Sequence, residues 1–183
     1  MQLPNLSGRR LAGTAALACA AALIPVAALA AAASAAPAAA ASAPKCSTAG
    51  LVVWMTYDPS AAGTFYYTLN FSNLSGHACT LRGHPGVSAV SLTGRRIGIP
   101  ATWGNPGNAR LRTVRLANGA TATAALTIRD VGAYSPGTCH QVKAAGLRVY
   151  PPNQLVSKVI PYPIGACSTR QGFMDAGPVQ RQK

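Results

Sequence analysis

From residue 51 onward, apolar and polar positions alternate in short bursts and show no recurrence every third or fourth residue. "TFYYTLNF" (64–71) places Phe65, Tyr67, Leu69 and Phe71 on one face and Tyr66, Thr68 and Asn70 on the other. A period of two describes a half-buried strand. "LVVWMTY" (51–57) is β-branched and aromatic, and "DPSAAG" between the two segments has turn chemistry, with Pro presetting φ and Gly permitting a positive one. These segments predict an antiparallel hairpin.

The same punctuation continues along the chain. "ACTL" predicts a short strand, and "HPG" a tight reversal. "VSAVSL" and "RRIGI" flank Thr93-Gly94 as a hairpin, and "LRTVRL" and "TATAALTI" flank Asn118-Gly119, a strong hairpin signal. "PATWGNPGNA" (100–109) is a Gly/Pro/Asn loop. "GLRVY" and "LVSKVI" close the pattern around Pro151-Pro152-Asn153. No stretch after residue 45 keeps a helical period over ten residues. About seven or eight short strands predict an all-β fold, an immunoglobulin-like antiparallel β-sandwich over residues 46–168, with a closed barrel as the alternative. Residues 169–183 are polar and Gly-rich and are expected to form a flexible C-terminal tail.

The first 43 residues follow a different rule. Arg9 and Arg10 precede a run from Leu11 to Pro44 without a charged residue, dominated by Ala. A basic start, an apolar stretch and small residues in A-x-A spacing predict an export signal. Cleavage is expected after Ala30, Ala35 or Ala43, the last being disfavoured by Pro44. A retained membrane anchor is the alternative, because the uncharged run exceeds the roughly 20 residues that cross a bilayer. Lipidation at Cys19 ranks lower, since Ala16 stands where a lipoprotein signal prefers Leu.

Once Cys19 is removed with the signal, four cysteines remain: Cys46, Cys79, Cys139 and Cys167. An even count in an exported chain predicts two disulfides in an oxidising compartment. Strand direction suggests which ones. Cys46 and Cys79 flank the ribbon 51–71, and Cys139 and Cys167 flank the ribbon 147–160, so each pair meets at an open mouth. Cys46–Cys79 and Cys139–Cys167 are therefore expected, with Cys79–Cys139 as an inter-sheet alternative.

That pairing bears on "GHACTLRGHPGV" (76–87), where His77, Cys79 and His84 form a conceivable zinc set. The gaps H-x-C and C-x₄-H lack the second close pair of a structural zinc site, and Cys79 has a partner. No metal and no cofactor is expected. Catalysis finds equally little support. The chain has no Glu and three Asp, Asp58, Asp130 and Asp175, and "GVSAV" has Val90 where a nucleophile elbow needs Gly. A triad dispersed along the chain would leave no trace in spacing.

Charge supplies the remaining lead. After residue 43 there are 14 Lys and Arg against three Asp, about +11, which favours anionic partners such as acidic wall polymers or lipid headgroups. In "RLRTVR", Arg110 and Arg112 share a strand face and Arg115 falls on the other; these three are the candidate anion-binding residues. Aromatic and basic residues are not interleaved as in single-strand nucleic-acid binders, so no specific nucleic acid is expected. Trp103, in its Gly-rich loop, is the candidate loop contact.

"YYTLNFSNLSGHACTLRGHPGVSAVSLTGRRIG" and "LRVYPPN" resemble a secreted actinobacterial domain-of-unknown-function family (DUF4232-like). Its C-T-L-x-G-x-P-G-V core is matched from Cys79 to Val87, and the resemblance spans about residues 46–167. The resemblance implies a secreted or wall-associated β-sandwich and no assigned activity. It also implies Tyr as the usual residue at His84, which argues against a metal there. The expectation is an exported, non-enzymatic binding module of the envelope or extracellular space. A secreted hydrolase and a soluble inhibitor or partner-binding domain are the alternatives.

Overall fold

A computed structural model describes residues 42–104 and 108–182. Nearly all of the expected export segment, including Cys19 and the cleavage points after Ala30 and Ala35, lies outside them. The described chain is all-β, with strands β1 (Leu51–Ala61), β2 (Thr64–Asn73), β3 (Cys79–Leu81), β4 (Gly86–Val90) and β5 (Arg96–Ile97). These are followed by β6 (Thr102–Trp103), β7 (Val114–Leu116), β8 (Thr121–Arg129), β9 (Gln141–Ala144) and β10 (Gly146–Tyr150). The last four are β11 (Lys158–Ile160), β12 (Ile164–Cys167), β13 (Met174–Ala176) and β14 (Gln180–Arg181). A 3-10 turn at Val131–Ala133, capped by Asp130, is the helical element among the described residues.

The larger sheet has the order β1-β2-β8-β13-β6, with β14 also on β8; the smaller has the order β11-β10-β4-β5. Two ribbons, β3–β7 and β9–β12, extend them. Pairing is antiparallel except between β6 and β13, which run parallel. The period of two explains the core. On β2, Tyr67, Leu69 and Phe71 point inward, and on β8 Ala122, Ala124, Leu126 and Ile128 do so. Val87 and Ala89 of β4 and Leu147 and Val149 of β10 join the same buried cluster.

The β1–β2 hairpin turns at Ala62-Gly63, whose φ values of 49° and 71° suit the type I′ turn that matches strand twist. Asp58 and Pro59 therefore lie within β1, where the register shifts between Asp58 and Ala61, and the turn is confined to the last residues of the expected segment. The expected Asn118-Gly119 hairpin is not formed. β7 pairs with β3, while β8 pairs with β2. Asn73 explains the divergence: its amide donates to the carbonyls of Leu116 and Ala117, at 3.2 and 3.1 Å. This buried clamp turns the chain from one layer to the other.

The C-terminal segment also differs from expectation. Residues 169–183 are not a free tail, because Met174–Ala176 and Gln180–Arg181 add to β8. Phe173, Met174, Ala176 and Val179 are buried. These four apolar side chains, scattered among Gly, Pro and polar residues, show no alternation, yet they cover the flank of β8 that would otherwise be bare. The strand count exceeds the expected seven or eight for the same reason, as β6, β9, β12, β13 and β14 are too short to carry a period.

Cys46 is bonded to Cys79 and Cys139 to Cys167, with Cα–Cα distances of 4.9 and 5.0 Å. Cys46 and Cys79 lie just beyond the Leu51↔Asn73 end of the β1–β2 ladder. In the second case β9 and β12 prolong the β10–β11 ribbon, so that Cys167 lies opposite Gln141 and bonds to Cys139 beyond it.

Candidate functional site

The basic segment 108–113 runs outside any strand before entering β7. Arg110 and Arg112 line a groove of about 630 Å³ together with Thr113, Gln180 and Arg181. The Gln180 amide donates to the Arg110 carbonyl at 2.7 Å, tying this loop to β14. Arg115 lies opposite Thr80 on the β3–β7 ribbon and lines a neighbouring groove of about 460 Å³. Arg181 borders both grooves.

The structure separates Arg115, on β7, from Arg110 and Arg112, which precede the strand and do not share the strand face expected of them, and it places Arg181 between the two grooves. Arg181 escaped the sequence reading because it falls in the supposed tail. None of the three Asp lines either groove, and among the described residues the ion pair is Arg129 with Asp175, elsewhere on β8 and β13. Four guanidinium groups with no Asp beside them make a positive potential there, and each offers a planar fork of donors for carboxylate or phosphate oxygens.

Trp103 stands on β6 and is 73% exposed. Its ring stacks on His84, with centroids 5.6 Å apart and planes 13° from parallel. One ring face is covered by the imidazole, which leaves the other for a contact. The three residues of the zinc question are therefore used separately. Cys79 is in a disulfide, His84 lies on Trp103, and the His77 carbonyl accepts from the Asn73 amide at 2.8 Å. Among the described residues no three metal-ligating side chains converge.

One nucleophile–base contact does form. His140 Nδ1 lies 3.0 Å from Ser168 Oγ, beside the Cys139–Cys167 disulfide. The hydroxyl also lies 3.0 Å from the His140 carbonyl, so its proton has a competing acceptor. No carboxylate orients the imidazole. Asp130 accepts from the Gly132 amide, Asp58 from the Thr68 hydroxyl, and Asp175 pairs with Arg129.

At the open end of the sandwich, Tyr67 packs edge-on against Tyr57 and Tyr162, with centroids 5.5 and 5.6 Å away. Phe65, Tyr67 and Tyr162 line a cleft of about 220 Å³ beside Ile128 and Ile164. Burial, reinforced by the hydrogen bond to Tyr162 and by the neighbouring phenols of Tyr162 and Tyr57, holds the Tyr67 hydroxyl well above its ordinary range. Tyr162 carries no pattern signal in "PYPIG", and only the fold brings it to Tyr67.

A family model described as a domain of unknown function (DUF4232) matches residues 46–180. The match covers both disulfides and every strand up to the first residue of β14, and the chain belongs to this family. No curated protein and no solved structure matches it.

Proposed function

We propose that this DUF4232 member is an exported, non-enzymatic module that binds an anionic polymer or lipid surface of the cell envelope. The observation that carries this reading is the gathering of Arg110, Arg112, Arg115 and Arg181 around two adjoining grooves that no Asp lines. Export is supported by the two disulfides, which belong to an oxidising compartment. No helix among the described residues is long and apolar enough to cross a membrane. The non-enzymatic part is supported by the dispersal of the three Asp, each already engaged with a different partner.

Binding to immobilised polyphosphate and to vesicles containing anionic lipid tests the reading. Retention is expected to fall steeply with salt as the screening length drops below about 10 Å. The R110Q/R112Q/R181Q variant is expected to lose most of this retention. Equal retention by that variant, or retention indifferent to salt, removes the proposal.

The His140–Ser168 contact favours a second reading, a secreted hydrolase acting through Ser168. A fluorophosphonate probe that labels native protein but not S168A would support it, and no labelling would remove it.

A further inference from the structure

The solvent-facing side of the larger sheet carries a second surface whose chemistry differs from that of the arginine grooves. Alternate residues of β1, β2 and β8 face outward in rows across the strands. One row runs Trp54–Asn70–Thr123, and another runs Asp58–Tyr66–Thr127–Asp175–Thr102. Two exposed aromatic rings, Trp54 and Tyr66, at 41% and 39% exposure, stand among hydroxyl and carboxylate groups.

The Trp54 indole is anchored across the sheet by its ring nitrogen. Its Nε1 donates to Ser72 Oγ at 3.2 Å, diagonally across β2, and Ser72 is in turn held 2.8 Å from the Thr121 hydroxyl. Asn70, opposite Trp54 on the outward face, is only 3% exposed. The hydrogen bond thus restrains an indole that remains 41% exposed to solvent. Further along the same face, Asp58, Thr64, Tyr66, Thr127 and Arg129 line a groove of about 510 Å³. The Thr68 hydroxyl donates to Asp58 Oδ2 at 2.8 Å, which orients the carboxylate and leaves Oδ1 for another donor.

We infer that this face binds an uncharged oligosaccharide, with the Trp54 indole and the Tyr66 ring as stacking platforms and the Asp58 carboxylate, the Arg129 guanidinium and the Thr127 hydroxyl as hydroxyl partners. A sugar ring has a face of C–H groups that packs on an aromatic plane and a rim of hydroxyls that both donate and accept. The groove supplies acceptors, donors and hydroxyls around one ring. The charged groups on this face are Asp58, Asp175 and Arg129, so it lacks the cationic excess of the rest of the chain and suits a neutral ligand. From Trp54 to Asp58 the strand advances about 14 Å, which calls for a chain of several sugar rings. Platforms fixed on strands lose little entropy on binding.

The test is titration of the ¹⁵N-labelled protein with cellohexaose, xylohexaose, laminarihexaose and maltohexaose, following the Trp54 indole N–H, assigned with W54F. At least one hexaose is expected to shift this signal saturably, with the same dissociation constant at low and high salt. Y66A and D58N should each weaken that binding about tenfold, a loss of about 1.4 kcal/mol, whereas R110Q/R112Q/R181Q should leave it unchanged. No saturable shift with any hexaose, or a shift unaffected by both Y66A and D58N, overturns the inference. Because the arginine variant and the salt series read the other surface, either proposal can fail without the other.

Discussion

The Arg129 guanidinium lies 2.9 Å from the Asp175 carboxylate and joins the last residue of β8 to β13. Both side chains are partly exposed, and such pairs contribute about 0–1 kcal/mol. The burial of Phe173, Met174 and Val179 is the larger effect, since truncating a buried Phe to Ala costs about 3–5 kcal/mol. In urea denaturation, D175N should therefore stay within about 1 kcal/mol of the parent, while F173A should fall by several times as much. Similar losses in the two variants would mean that the ion pair, and not apolar burial, holds the C-terminal strands.

The disulfides close segments with sequence separations of 33 and 28 residues, for which the chain-entropy relation gives about 3–4 kcal/mol each. Replacing either pair with Ala should leave a folded but weakened protein. Removing both costs an amount comparable with a typical net stability of about 5–15 kcal/mol, and should abolish cooperative unfolding. Native protein alkylated without reductant should carry no label on these four cysteines.

What was legible in the sequence had a long period or an obligatory partner. β2 and β8 declare themselves because Tyr67, Leu69 and Phe71 and then Ala122, Ala124, Leu126 and Ile128 keep strict alternation over a whole strand. The cysteine pairs follow from strand direction once the ribbons are placed. The Asn118-Gly119 signal misled because turn chemistry reports a reversal and not the partner of the next strand. Asn73, 45 positions earlier, sets that partner by clamping the carbonyls of Leu116 and Ala117. Arg181 and Tyr162 were invisible for a related reason, since each reaches its site only through long-range pairing of short segments.

Gly98 gives a sharper packing test. Its φ is +62°, and an added Cβ would run into the backbone carbonyl of Cys167. Gly119 has a similar φ of +83° with nothing near. Left-handed backbone alone costs a side chain roughly 1–2 kcal/mol, so G119A should show about that loss. G98A should lose clearly more, because the carbonyl belongs to a residue held by both β9 and a disulfide. Equal losses would mean that the β5 loop can move away from β12.

Tyr67 makes stability depend on alkaline pH, and the direction follows from its surroundings. Burial first, then the hydrogen bond and the adjacent phenols, keeps its hydroxyl protonated in the folded chain above the ordinary tyrosine range. In the unfolded chain the same group ionises near pH 10. Above that value the unfolded state releases a proton that the native state retains, so stability falls as pH rises, by up to about 1.4 kcal/mol per pH unit for this one group. Y67F removes the titration. The variant should therefore lose stability less steeply than the parent beyond about pH 10. Titrating groups remote from Tyr67 are common to both proteins and cancel in the difference, which leaves Tyr67 and its neighbours Tyr57 and Tyr162. Parallel curves in urea denaturation across the alkaline range would show that Tyr67 ionises as readily in the folded chain as in the unfolded one.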